Sequence, residues 1–130
     1  MAGMTVRIGA AMALILVSGC SSIAGPDASA AAARFVQAQP AQACELLAPD
    51  TAKAMAERAG TDCQQALAAA HLPADSPLRT AEVAGQSAQV QFDDEVVFLA
   101  RFPDGWRVTA AGCVRDDPDP AVPYDCEVEP

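Results

Sequence analysis

The sequence predicts an α+β domain, with N-terminal helices packed on an antiparallel sheet of about four to five strands and two disulfides. Three observations predict it. From about Ala28 to Ala70 the chain is alanine-rich with helical start and stop signals. After Pro77 its apolar residues alternate with period two. Four cysteines remain once the one ending an apolar leader is set aside. Helices followed by a run of strands place the helices on one face of an antiparallel sheet. A length of 130 residues fits one such domain.

The helices come first. Asp27 or Ser29 stands where it caps a helix over Ala30–Gln37, whose apolar face includes Phe35 and Val36. Pro40 suits the first turn of a second helix over Ala41–Leu47, which sets Cys44 and Leu47 three apart on one side. Pro49-Asp50 restarts the chain, and Thr51–Ala59 forms a third helix closed by Gly60. Thr61-Asp62-Cys63-Gln64 resembles a capping box, with Gln64 three residues after Thr61. The fourth helix runs to about Ala70 and stops before Pro73.

The strands follow. Arg79–Ala84 and Ala88–Phe92 flank Gly85-Gln86-Ser87. Glu95–Phe102 is the most apolar run. Pro103-Asp104-Gly105 is a strong tight-turn signal, and Trp106–Gly112 returns as the partner strand. Tyr124–Glu129 is a final short strand after the stiff acidic loop Asp116-Asp117-Pro118-Asp119-Pro120. No internal repeat is visible.

Ahead of the domain, residues 1–19 read as a secretory signal. Arg7 gives the positive start, and Ile8 to Val17 is an apolar run too short to span a bilayer. The run ends in Val17-Ser18-Gly19-Cys20, which looks like a bacterial lipobox. Small residues let the peptidase reach the backbone, and the Cys20 thiol is the acceptor for diacylglycerol. Residues 20–29 then read as a flexible tether containing Gly25 and Pro26, and 30–130 as the domain. Acyl chains embedded in the membrane hold such a protein at about 0.8 kcal/mol per buried methylene. An acidic domain is repelled by anionic lipid, so it stands off the surface.

The remaining cysteines are Cys44, Cys63, Cys113 and Cys126. An even count in an exported chain reads as two disulfides. Three pairings exist; Cys44–Cys63 and Cys113–Cys126 are favoured because each pair is near in sequence and within one structural region. Each bridge stabilises the fold by about 3 kcal/mol in the chain-entropy model. A four-thiolate zinc site or a redox pair lacks its Cys-x-x-Cys spacing. From Cys20 on, only 23 of 111 residues belong to the Val, Ile, Leu, Met, Phe, Trp, Tyr set. So thin a core makes staples physically reasonable.

Little points to chemistry. His71 is the only histidine, at a helix end, with no nucleophile or carboxylate placed beside it by spacing. Asp93-Asp94-Glu95 reads as a solvated turn whose charge protects the sheet edge. Asp116, Asp117, Asp119 and Asp125 lack the glycine and distal glutamate of a calcium loop. Phe98, Phe102 and Trp106 are core by default and are the candidates for lining a ligand pocket. No catalytic residue, metal or cofactor is assigned. A formal charge of −9 argues against a nucleic-acid partner.

Two stretches carry a resemblance. Ala32-Ala33-Arg34-Phe35-Val36-Gln37-Ala38 with Ala43-Cys44-Glu45-Leu46-Leu47-Ala48-Pro49 is similar to the opening helices of small secreted domains with the cystatin-like, nuclear-transport-factor-two-like fold. Phe98 to Cys113, with Pro-Tyr-Asp-Cys at 123–126, resembles the sheet hairpin of uncharacterised lipoproteins of high-GC bacteria. Gln39-Pro40 stands where that pattern has a Gly-Asp break. The resemblance implies a cone of helices cupped against a curved sheet, and no activity.

The expectation for function is therefore a lipid-anchored protein on the extracytoplasmic side of the cell membrane. It acts as a non-enzymatic binding or accessory module whose partner is an envelope protein or a small ligand. The alternatives are a calcium-responsive envelope module using the Asp-rich loop, or a small hydrolase or isomerase using the cone pocket with His71 and a carboxylate.

Overall fold

The computed structural model describes residues 21–130, with side chains from Gly25 onward. The leader and Cys20 lie outside the described residues. Among the described residues four helices precede five strands: α1 (Ser21–Gln37), α2 (Pro40–Leu46), α3 (Pro49–Ala59), α4 (Cys63–Ala69), β1 (Leu78–Ala84), β2 (Ser87–Phe92), β3 (Val96–Phe102), β4 (Gly105–Val114) and β5 (Asp125–Val128). The strands form one antiparallel meander in the order β1-β2-β3-β4-β5. No described helix is long and apolar enough to cross a membrane.

α1 begins earlier than its sequence signals suggest. Ala28, Ala31, Ala32 and Phe35 fall at i, i+3, i+4 and i+7, and all four are buried. That stripe lies over the sheet. Packing therefore starts inside the stretch read as a tether, and helical backbone runs through it to Ser21. Asp27 and Ser29 sit within the helix instead of capping it. Pro26 lies there too, where it has no N–H to give the hydrogen-bond ladder.

The next boundaries follow simple punctuation. Pro40 and Pro49 open α2 and α3, where a missing N–H costs nothing. Gly60 closes α3 in the left-handed conformation at φ 65°. The cap of α4 is Asp62, one residue later than Thr61. Its carboxylate accepts from the Gln65 N–H at 2.8 Å. Thr61 is already committed to closing α3, since its N–H donates to the Ala56 carbonyl.

The helix-facing side of the sheet is built from β-branched and large residues. Val90 and Phe92 of β2, Val97 and Leu99 of β3, and Val108 of β4 are buried beneath the helices, with Val128 of β5. β5 pairs only with the last part of β4, at Ala111, Cys113 and Val114. The α2–α3 junction covers the first part of that edge. Leu47 bridges Val108, the Ala48 N–H donates to the Val108 carbonyl at 2.7 Å, and the Thr51 hydroxyl donates to the Thr109 carbonyl at 2.9 Å. The Arg107 guanidinium adds bonds to the Glu45 and Leu47 carbonyls. An edge that would otherwise present unpaired groups is thereby closed.

Both disulfides form in the favoured pairing. Cys44–Cys63 ties α2 to the first residue of α4 across a sequence separation of 19. Cys113–Cys126 joins β4 to β5 at a directly paired position across a separation of 13.

Candidate functional site

The site grows from one glycine and one glutamate. Gly112 sits in β4 with φ 62°, a backbone that favours glycine. A Cβ there would stand 2.8 Å from Leu72 Cδ2 and 2.9 Å from Glu127 Cβ, so a side chain is excluded by space as well. The buried backbone N–H instead meets a carboxylate: it donates to Glu95 Oε2 at 2.6 Å.

Glu95 is only 4% exposed, although it ends an acidic turn. The turn is held by backbone: the Phe92 N–H donates to the Glu95 carbonyl, and the Asp94 N–H to the buried Ser76 hydroxyl at 2.9 Å. Burial pushes the Glu95 carboxyl above its ordinary range, the Gly112 N–H pulls it back, and the Asp94 charge pushes it up again. Among the described residues it forms no ion pair. A buried carboxylate with one donor and no cation is costly, and such groups concentrate at functional sites.

Glu95 lines two cavities. One, of about 230 Å³, lies between the helices and the segment after α4. Its walls are Phe35 and Val36 of α1, Ala43 of α2, Leu67 of α4, and Leu72. Among the described residues, Glu95 is the single charged one in that lining. The exposed Ala68 and Ala74 form its rim. The other, of about 300 Å³, is polar and takes in Asp93, Asp94, Arg115 and Tyr124. There the Arg115 guanidinium lies 4.1 Å from the Tyr124 ring centroid, and its buried Nε has no hydrogen-bond partner among the described residues.

The aromatic trio read as pocket lining is not brought together. Trp106 lies against α1, beside Ala30, Ala31 and Arg34, with Arg101 stacked 4.8 Å from its ring centroid. Phe98 packs edge-on to Tyr124 at 5.2 Å and borders a separate hollow with Glu82 and Gln89. Phe102 is half-buried and pairs with Gly105 at the hairpin end. Strand alternation explains the separation: Phe98 and Phe102 share one face of β3, whereas Trp106 pairs with Arg101.

His71 is exposed and lines neither Glu95 cavity. Among the described residues, no group of three or more His, Cys, Asp or Glu converges as a metal site. The acidic loops use their carboxylates locally. Asp93 pairs with Arg79, and Asp104 with Arg107, which holds the Asp104 carboxyl below its usual range. Asp117 and Asp119 accept from the backbone N–H groups of Asp119 and Ala121. The residue missed from sequence is Glu95. A signal existed: it shares parity with the inward-facing Val97 and Leu99, which places it on the helix side of the sheet.

In comparisons with known proteins, no family model, no curated protein and no solved structure matches this chain.

Proposed function

We propose that the protein is an exported, lipid-anchored, non-enzymatic binding module on the extracytoplasmic side of the cell membrane, with the apolar cleft around Glu95 as its ligand site. One observation carries the reading. All four described cysteines are consumed by disulfides, which persist in oxidising compartments. The cysteine left over is Cys20, at the end of the leader, where a lipobox requires a free thiol. The likeness to small lipoproteins with the nuclear-transport-factor-two-like fold belongs to the same proposal and rests on the stretches quoted above. Binding is favoured over catalysis by the lining: apolar walls around one carboxylate, with no nucleophile–base pair among the residues that form it.

Cells supplied with labelled palmitate test the anchor. The wild-type chain takes up label and fractionates with membranes, and a Cys20→Ala variant loses both properties. An unlabelled wild-type chain, or a Cys20→Ala variant still at the membrane, overturns the reading.

A further inference from the structure

We propose that the Glu95 cleft binds a small organic cation: a primary ammonium group seated on the Glu95 carboxylate, carrying an apolar body that fills the space among Phe35, Val36, Leu67 and Leu72. This deepens the reading above by naming the ligand class of the same cleft.

Three features of the cleft select that class. The first is unspent hydrogen-bonding capacity. An ionised carboxylate accepts at about four lone-pair positions, and among the described residues Glu95 receives one bond, from Gly112. An ammonium group brings three donors and a positive charge, so it supplies both the bonds and the charge that the protein leaves out. The second is charge complementarity. Among the described residues Glu95 is the one charged group lining the cleft, Asp94 stands next to it in sequence, and no described cation pairs with it. An anion is repelled there. A neutral apolar molecule fills the walls but leaves the carboxylate with only its Gly112 bond. The third is size and lining. A cavity of about 230 Å³ exceeds the ~150 Å³ that accepts benzene in an engineered protein. A six-membered ring with a short aminoalkyl arm fits the larger volume. The remaining walls are aliphatic or aromatic, which favours a hydrocarbon body over a sugar or a polar chain.

The test is calorimetric titration of the purified, disulfide-intact chain with 2-phenylethylammonium, with 2-phenylethanol as the neutral isostere and 3-phenylpropionate as the anion. The wild-type chain binds the ammonium at least tenfold more tightly than the alcohol and does not bind the anion. Glu95→Gln keeps the carbonyl acceptor for Gly112 and weakens ammonium binding at least tenfold, leaving the alcohol unchanged. Val36→Phe narrows the apolar wall and weakens both ring-bearing ligands while Glu95 stays intact. In a nuclear magnetic resonance titration the Gly112 amide shifts on adding the ammonium, and circular dichroism confirms that each variant is folded. No binding of the ammonium by the wild-type chain, equal binding by Glu95→Gln, or equal affinity for the alcohol overturns the proposal. These titrations use isolated protein and are independent of palmitate labelling, so failure of the ligand assignment and failure of the anchor are separately visible.

Discussion

The helical layer and the sheet are built from different material. The sheet contributes Val90, Phe92, Val97, Leu99, Val108 and Val128 to the buried interior. The helices contribute mainly alanine: Ala28, Ala31, Ala32, Ala43 and Ala66, with Phe35, Met55 and Leu67 as the larger exceptions. A buried methyl removes far less apolar surface from water than a buried Val or Leu side chain. The helices therefore lean on covalent and backbone ties: Cys44–Cys63, and the stitching of the α2–α3 junction to β4. Alanine has a second effect. Small side chains at Ala38, Ala43, Ala68 and Ala74 border the cleft that leads to Glu95. The thin packing that makes the staple useful also supplies the room for a ligand.

Truncation of a buried side chain is expected to cost more in the sheet than in the helices. Leu99→Ala deletes a fully buried side chain and is expected to cost about 3 kcal/mol or more. Ala32→Gly, on the buried face of α1, is expected to cost about 1 kcal/mol through helix propensity. Urea denaturation followed by circular dichroism measures both, and equal losses would erase the distinction between the layers.

The disulfides separate the two layers in a second way. Each closes a loop of similar length, so each is expected to stabilise the fold by about 3 kcal/mol. Their local consequences differ. The double variant Cys44→Ala/Cys63→Ala frees α2 and α4, and their amides are expected to exchange with solvent while β2, β3 and β4 stay protected. In Cys113→Ala/Cys126→Ala the β5 ladder and the buried Val128 still hold the strand, so faster exchange is confined to β5 and the loop before it. Hydrogen exchange read by mass spectrometry distinguishes the two patterns.

A small, pH-dependent effect is expected at the seam between the layers. Glu95→Gln removes a buried charge and keeps the Gly112 hydrogen bond. Because the folded carboxyl titrates above its ordinary value, the folded state holds its proton more tightly than the unfolded chain does. Wild-type stability therefore falls, relative to the variant, as pH rises. The penalty begins near the ordinary carboxyl value, where the unfolded chain ionises first, and is complete once pH passes the raised folded value. At neutral pH the variant is expected to be the more stable of the two. At pH 4 the two are expected to melt together. A constant difference across that range would contradict the assignment.

The sequence was most legible where punctuation and periodicity agree. Pro40, Pro49 and Gly60 mark helix ends, and Pro103-Asp104-Gly105 marks the β3–β4 turn, because each residue restricts or frees φ locally. The disulfide pairing followed from proximity along the chain. What escaped depends on neighbours remote in sequence. The start of α1 is set by a sheet that covers Ala28. The Leu47–Val108 bridge joins residues whose individual patterns say nothing of each other. The shift of the α4 cap to Asp62 reflects competition for Thr61 by the helix before it. Glu95 was hidden by its acidic neighbours, which dominate a local reading, although its parity with Val97 and Leu99 already set it inward. Phe98 and Trp106 are close in sequence, yet they lie against different elements.

The most direct measurement is intact-mass analysis of the protein isolated from its own membranes and treated with iodoacetamide without reductant. The expected species is a chain beginning at Cys20, heavier by its acyl groups, with no alkylation of Cys44, Cys63, Cys113 or Cys126. A chain that keeps residues 1–19 and gains alkyl groups at those four positions would contradict it.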